Sequence, residues 1–397
     1  MSANDIAGSA VREEVNAEFY AWLRRMRETE PVGFDATTGL WSVFGHAEAV
    51  QIMADPEVYG NDLSEITPPQ EDYDVFFKGN IAGMDEPRHR KFRQLVSKVF
   101  SARYIAGLEE KLTAIATELL DRIGSRKRFD LAKEFATPFP VTVIADILGA
   151  PREDGPRLAK WASTVHAGED TGVDGLTQAA EGIRLLNAYL FDLIEQRRAK
   201  PEDDLISLLI GAELEGRRLA DDEIVGFVGV LLMGGISTTA ALITNIVLTF
   251  DRFPEQWAEV RADRALIPQA IEEVVRLHPS FSQFLRMTRS ETELGGRLIP
   301  AHSMVKVWVT SANRDATVFP DAERFDLHRE GPRHIGFGQG IHYCIGAPLA
   351  RLEGRIAFGL LLDRYPEYRI LHEAGVGLLD TADMIGASRL PVAVTRA

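Results

Sequence analysis

From Ile224 to Phe250 the chain runs 27 residues without a single charge, and any fold it adopts must dispose of that stretch. As an α-helix it spans about 40 Å, enough to cross a bilayer. Its flanks suit a different fate: Asp221, Asp222 and Glu223 precede it, Asp251 and Arg252 follow it, and no basic cluster sets an orientation. Its middle is polar, with Gly234, Gly235, Ser237, Thr238 and Thr239. A helix apolar all round is equally the central helix of a large soluble protein. We therefore expect a buried helix and no membrane anchor. The other 370 or so residues must cover it, and a hydrophobic fraction of 45% is enough to do so.

No linker, repeat or low-complexity tract divides the sequence, so residues 1–397 are expected to form a single domain. Helical spacing dominates from Ala10 to Arg27 and from Pro87 to Arg276, as in Leu108, Leu112, Ile115 and Leu119. Strand patterns are fewer: Trp41 to Phe44, Met304 to Thr310, and a hairpin broken at Gly295 and Gly296. The expectation is a mainly α protein with a small β region. A net charge of -15 argues against nucleic acid as a partner. Met1 to Ala10 has neither a basic n-region nor an apolar h-region, which fits a cytoplasmic protein.

The chain has one cysteine, Cys344, in Phe337-Gly-Gln-Gly-Ile-His-Tyr-Cys-Ile-Gly346. A lone cysteine is commonly a small buried apolar side chain, but these neighbours point elsewhere. Gly338 and Gly340 permit positive φ and leave no Cβ to block a flat ligand. Pro348 suits a first helical turn, and Leu349, Leu352, Ile356 and Leu360 continue at helical spacing. Cys344 thus precedes a helix N-terminus, where loop amides and partial positive charge favour a thiolate.

Phe-Gly-x-Gly-x-His-x-Cys-x-Gly resembles the haem-ligand loop of the cytochrome P450 monooxygenases, and every fixed position matches. The resemblance implies the P450 fold and a haem (heme b) whose iron is held by the Cys344 thiolate, against Phe337, Gly338 and Gly346. In similar proteins Glu-x-x-Arg, here Glu273 and Arg276, is joined by an arginine from the later Phe319-Pro-Asp-Ala-Glu-Arg-Phe325, here Arg324, in a buried structural network. The pattern Met84-Asp-Glu-Pro-Arg-His-Arg-Lys-Phe-Arg93 carries haem propionate binding onto His89 and Arg93, with Arg286 and His342 as the other partners.

In the resembled family the uncharged helix crosses the distal face of the haem, and a local widening carries an acid followed by threonine. Here Ser237 stands in the acid's place ahead of Thr238. One reading has Ser237 and ordered water relay protons to the oxygen; the other has the substrate supply the missing group, or the reaction end in coupling, desaturation or rearrangement. By position in the family, the pocket draws on 62–80 with Phe76 and Phe77, on 161–175, on Met233 and Gly234, on Phe281 and Phe284, and on Met384 and Ile385.

The resemblance thus implies an oxygenase acting on a hydrophobic small molecule by hydroxylation or epoxidation, in specialised metabolism. No Gly-x-Gly-x-x-Gly nucleotide loop or cysteine cluster is present, so both electrons must come from outside. Similar soluble bacterial enzymes receive them from a ferredoxin and a ferredoxin reductase that draws on NAD(P)H. Arg90, Lys91 and Lys98 form a basic face suited to an acidic donor. A non-catalytic haem sensor or carrier is the contrasting reading, and it needs neither Thr238 nor that face.

Overall fold

The computed structural model describes residues 13–63, 71–167, 172–379 and 383–396. The uncharged stretch lies within one unbroken helix, α5 (Asp221–Arg252), preceded among the elements that shape the site by α1 (Glu13–Thr29), α2 (Glu71–Gly79), α3 (Arg88–Val99) and α4 (Pro138–Leu148) and followed by α6 (Ile267–Leu277) and α7 (Ala347–Arg364). Its charged flanks are helix ends. The Glu223 carboxylate accepts from the Ala220 amide at 3.0 Å, three acids occupy the first turn, and Arg252 closes the last, each complementing the helix dipole. Most of α5 is buried, as expected of a central helix. In mid-helix one stripe stays open: Val230, Met233, Gly234, Ser237 and Thr238, at i, i+3, i+4, i+7 and i+8.

Neighbouring helices reach α5 through glycine. A Cβ at Gly79 or Gly226 would overlap the backbone of the other helix, so α2 and α5 meet main chain to main chain. A Cβ at Gly235 would press on Ile144 of α4, and one at Gly354 of α7 would contact Leu242 and Ile271. Helix α6 starts behind Pro268, buries Ile271, Val274 and Val275, and stops at His278, ahead of Pro279.

The β region is small. One sheet joins β1 (Val32–Asp35), β2 (Leu40–Val43), β3 (Tyr59–Gly60), β4 (Phe284–Thr288) and β5 (Met304–Val307) in the order β1-β2-β5-β4-β3. Strand β5 runs parallel to β2, and the other pairings are antiparallel. The Gly295-Gly296 pair makes the expected hairpin between Thr292–Leu294 and Arg297–Ile299, with φ of 56° and 74°.

Three expectations need correction. The strand expected over Met304 to Thr310 ends at Val307, because Ala312 and Asn313 donate back to the carbonyls of Trp308 and Val309 in a helical turn. The helical run from Pro87 to Arg276 is interrupted by Arg128–Asp130, which pairs with Pro391–Thr395, and by the hairpin Glu213–Leu214 with Arg217–Arg218. Finally, α5 shows no widening at 234–239.

Candidate functional site

The cysteine loop is shaped by glycine and held by arginine. Gly338 and Gly340 adopt φ of 71° and 70°. A Cβ on Gly340 would strike the Met53 carbonyl, whereas one on Gly338 would meet only the His342 carbonyl at 3.7 Å, so Gly338 leaves the loop face open. The Cys344 amide donates to the Phe337 carbonyl at 2.9 Å. From α3, Arg93 donates to the carbonyls of Ile341 (3.1 Å) and Tyr343 (2.6 Å). From α7, Arg351 donates to the Tyr343 hydroxyl at 2.9 Å, lies 4.5 Å from the Phe337 ring centre and grips Glu272 with two bonds of 2.7 Å. Two cations, from two different helices, thus hold the loop.

Burial pushes the Cys344 thiol up, while the amides of Gly346 and Ala347 and the charges of Arg93 and Arg351 pull it down. The amides thus favour the thiolate as expected, and burial, which the sequence does not show, outweighs them. A cation bound at the sulfur reverses that balance, because a coordinating thiol is deprotonated outright.

Beside the loop lies a cluster of positive-capable groups. The His89 and His342 rings stand 4.3 Å apart. His89 is buried, and its two ring nitrogens have no hydrogen-bond partner; nor does Nε2 of His342. Burial and then Arg93 push His89 down to about 4, and burial with His89 and Arg286 pushes His342 down to about 3. Burial lowers Arg286, on β4, to about 10; it donates to the Leu285 carbonyl at 2.7 Å. The nearby carboxylate of Asp85 is engaged elsewhere, accepting from the amides of Asn61 and Asp62 and pairing with Arg289. Buried donors without acceptors are costly, and a ligand with two carboxylates suits this set. Arg93 fits that role in part, having spent two donors on the loop.

On the open stripe of α5, the Thr238 hydroxyl donates to the Gly234 carbonyl one turn back. A Cβ at Gly234 would have nothing within 4 Å. Room therefore comes from the missing side chain of Gly234 and not from an opened helix. Ser280 Oγ donates to the Thr238 carbonyl at 2.8 Å, and the Ile385 amide donates to the Ser280 carbonyl at 2.9 Å. Phe281 and Met384 form a β-bridge. Met233, Gly234, Ser237, Thr238, Phe281 and Ile385 are thus gathered around one stretch of helix. The other aromatic candidates differ in burial, and the Phe284 ring stands 6.4 Å from that of Phe281. Phe76 is buried with its ring against Gly229, Phe77 is 42% exposed, and Phe284 packs on the sheet core. Residues 64–70 and 168–171 of the expected lining lie outside the described residues.

A cytochrome P450 profile matches residues 178–370. Cyclomarin C epoxidase CymV of Salinispora arenicola is 40% identical over 94% of this chain and 95% of its own length. Erythromycin C-12 hydroxylase of Saccharopolyspora erythraea is 38% identical, covering 87% and 86%. The chain belongs to the cytochrome P450 family. The ligand-free structure of cytochrome P450 TbtJ1 superimposes with a TM-score of 0.88 at 38% identity, covering 96% of this chain and 98% of the other. This P450 is accordingly a monooxygenase with a haem-thiolate iron, served by redox partners and acting on a small molecule.

In this P450 the Glu-x-x-Arg pair is fully internal: Arg276 bonds Glu273 at 2.8 and 2.9 Å, each side chain 2% exposed. The expected third member, Arg324, is corrected. Its side chain is exposed, and only its carbonyl joins, accepting from Arg276 (3.0 Å) and Arg329 (2.8 Å). The guanidinium that completes the network is Arg329, 2.9 Å from Glu273. The chain turns at Asp326, whose amide donates to Glu273 at 3.0 Å, and this brings residue 329 inward. The sequence reading also missed Arg351, Ser280 and Asn245. Asn245 alone left a signal, as an amide in an apolar helix seven residues past Thr238.

Proposed function

We propose that this P450, as one catalytic unit, binds heme b with Cys344 as axial ligand and oxidises a hydrophobic small molecule by hydroxylation or epoxidation in specialised metabolism. The observation that carries the reading is the cluster of buried His89 with half-buried His342 and Arg286 beside the only cysteine, its buried imidazole nitrogens without partners and its arginine bonded only to a neighbouring carbonyl, which fits the two carboxylates of a haem standing on that sulfur. Bound there, haem supplies dioxygen activation with two electrons from outside.

The chain's residues do the rest. Arg93 and Arg351 fix the loop carrying the thiolate, and Phe337, Gly338 and Gly346 give it its shape. His89, His342 and Arg286 hold the carboxylates, with Arg93 adding charge. On the opposite side Thr238 keeps its hydroxyl proton on the Gly234 carbonyl, from which it can be redirected to a bound polar oxygen. Ser237, half-buried in the same stripe, holds a water in place of an acid. The stripe beside Gly234, with Phe281 and Ile385, takes an apolar substrate and excludes bulk water.

Electrons come from a ferredoxin reduced by a ferredoxin reductase. Arg90, Lys91 and Lys98 stand exposed on α3, the helix whose other residues His89 and Arg93 face the site, and they suit an acidic donor. The protein works in the cytoplasm. The test is an optical titration of the ferric protein with a panel of hydrophobic metabolites. A saturable low-spin to high-spin shift supports the reading, and a protein that binds no haem overturns it.

A further inference from the structure

Asn245 is 1% exposed, in the apolar interior of α5. Its side-chain nitrogen donates to the His278 carbonyl (3.1 Å) and to the Ile385 carbonyl (2.9 Å). Both partners are acceptors, which fixes the amide's orientation. One side chain thus ties two chain segments distant in sequence to the distal helix. The His278 end leads in two residues to Ser280, bonded to the Thr238 carbonyl, and then to Phe281. The Ile385 end adjoins Met384, which bridges Phe281.

The late turn has little freedom to settle elsewhere on α5. A Cβ at Gly386 would lie 2.7 Å from the Ala241 Cβ, and Thr244 Oγ1 accepts from the Ala387 amide at 3.1 Å. Ala241, Thr244 and Asn245 lie at i, i+3 and i+4, one face of the helix, and Thr238 is one turn earlier. We propose that Asn245 is a positioning residue that sets the spacing of the Phe281 and Ile385 walls from Thr238, and so decides how large a group fits over the reactive centre. Aspartate offers no donor to either carbonyl, leucine leaves both unbonded, and serine can reach one at most.

This rests on the haem reading above, and azole ligands test the two separately. Imidazole binds haem iron without reaching the walls; a phenyl-substituted imidazole reaches them. Asn245→Leu and Asn245→Ser are purified with haem and titrated with both, following the Soret shift, with melting temperatures recorded alongside. Expected is a loss of about tenfold or more in affinity for the phenyl compound with imidazole binding within about twofold of the parent, and a smaller loss for Asn245→Ser. Equal losses for both azoles, or unchanged affinities with a lowered melting temperature, would show a purely structural residue and overturn the proposal. Should Asn245→Leu not fold, Asn245→Ser carries the same comparison. Failure of the parent protein to shift with either azole refutes the haem reading instead.

Discussion

Arg329 Nε lies 2.9 Å from Glu273 Oε1, with side-chain exposures of 9% and 2%. Glu273 keeps both bonds to Arg276 when Arg329 is removed, so the loss is that of one hydrogen bond to a charged group, about 1.5–3 kcal/mol. Arg329→Ala is expected to cost that much in chemical denaturation, whereas Arg324→Ala, which removes an exposed side chain and keeps the bonded carbonyl, should stay within about 0.5 kcal/mol. Equal losses at both positions would mean that Arg324 belongs to the network after all.

The two kinds of glycine on α5 predict opposite outcomes. At Gly226 a Cβ overlaps the backbone of α2, so Gly226→Ala should destabilise the protein severely. At Gly234 the space is open, and Gly234→Ala should gain about 0.5–1 kcal/mol from helix propensity. Differential scanning calorimetry separates the two. Gly234→Val should in addition weaken binding of bulky ligands.

His278 is held neutral by burial, with Arg314, Arg252 and Arg276 opposing its protonation. Its folded value lies well below 6.5, so the unfolded chain binds the extra proton first, and its contribution to stability is present above pH 6.5 and lost as pH falls. Between pH 6.5 and 5 this one group contributes a slope of up to about 1.4 kcal/mol per pH unit. His278→Gln should flatten urea-derived stability against pH in that window, and an unchanged slope would refute the assignment.

Ser237→Asp restores a titratable group beside Thr238. If ordered water only substitutes for the acid, turnover should rise by up to about a hundredfold, the low end of general acid catalysis, and gain an acid limb in its pH profile. A changed product at unchanged rate would favour participation by the substrate instead.

What could be read from sequence divides by range. Local chemistry was legible: the uncharged run gave α5, paired glycines the 295–296 hairpin, and the glycine-spaced motif the cysteine loop. Relationships made by distant segments were not. Arg329 displaces Arg324 because the chain turns at Asp326 toward Glu273, and no periodicity encodes that turn. Thr310 leaves the strand pattern because its neighbours close a helical turn. The Asp326 contact is with a residue far along the chain and the turn at 308–313 is local; each overrides a preference read from the residues alone.

The most direct test of the account is the reduced carbon-monoxide spectrum of the purified protein and of Cys344→Ala, prepared alike. The account predicts a thiolate-type Soret band in the parent and its loss in the variant. The same band in Cys344→Ala would contradict it.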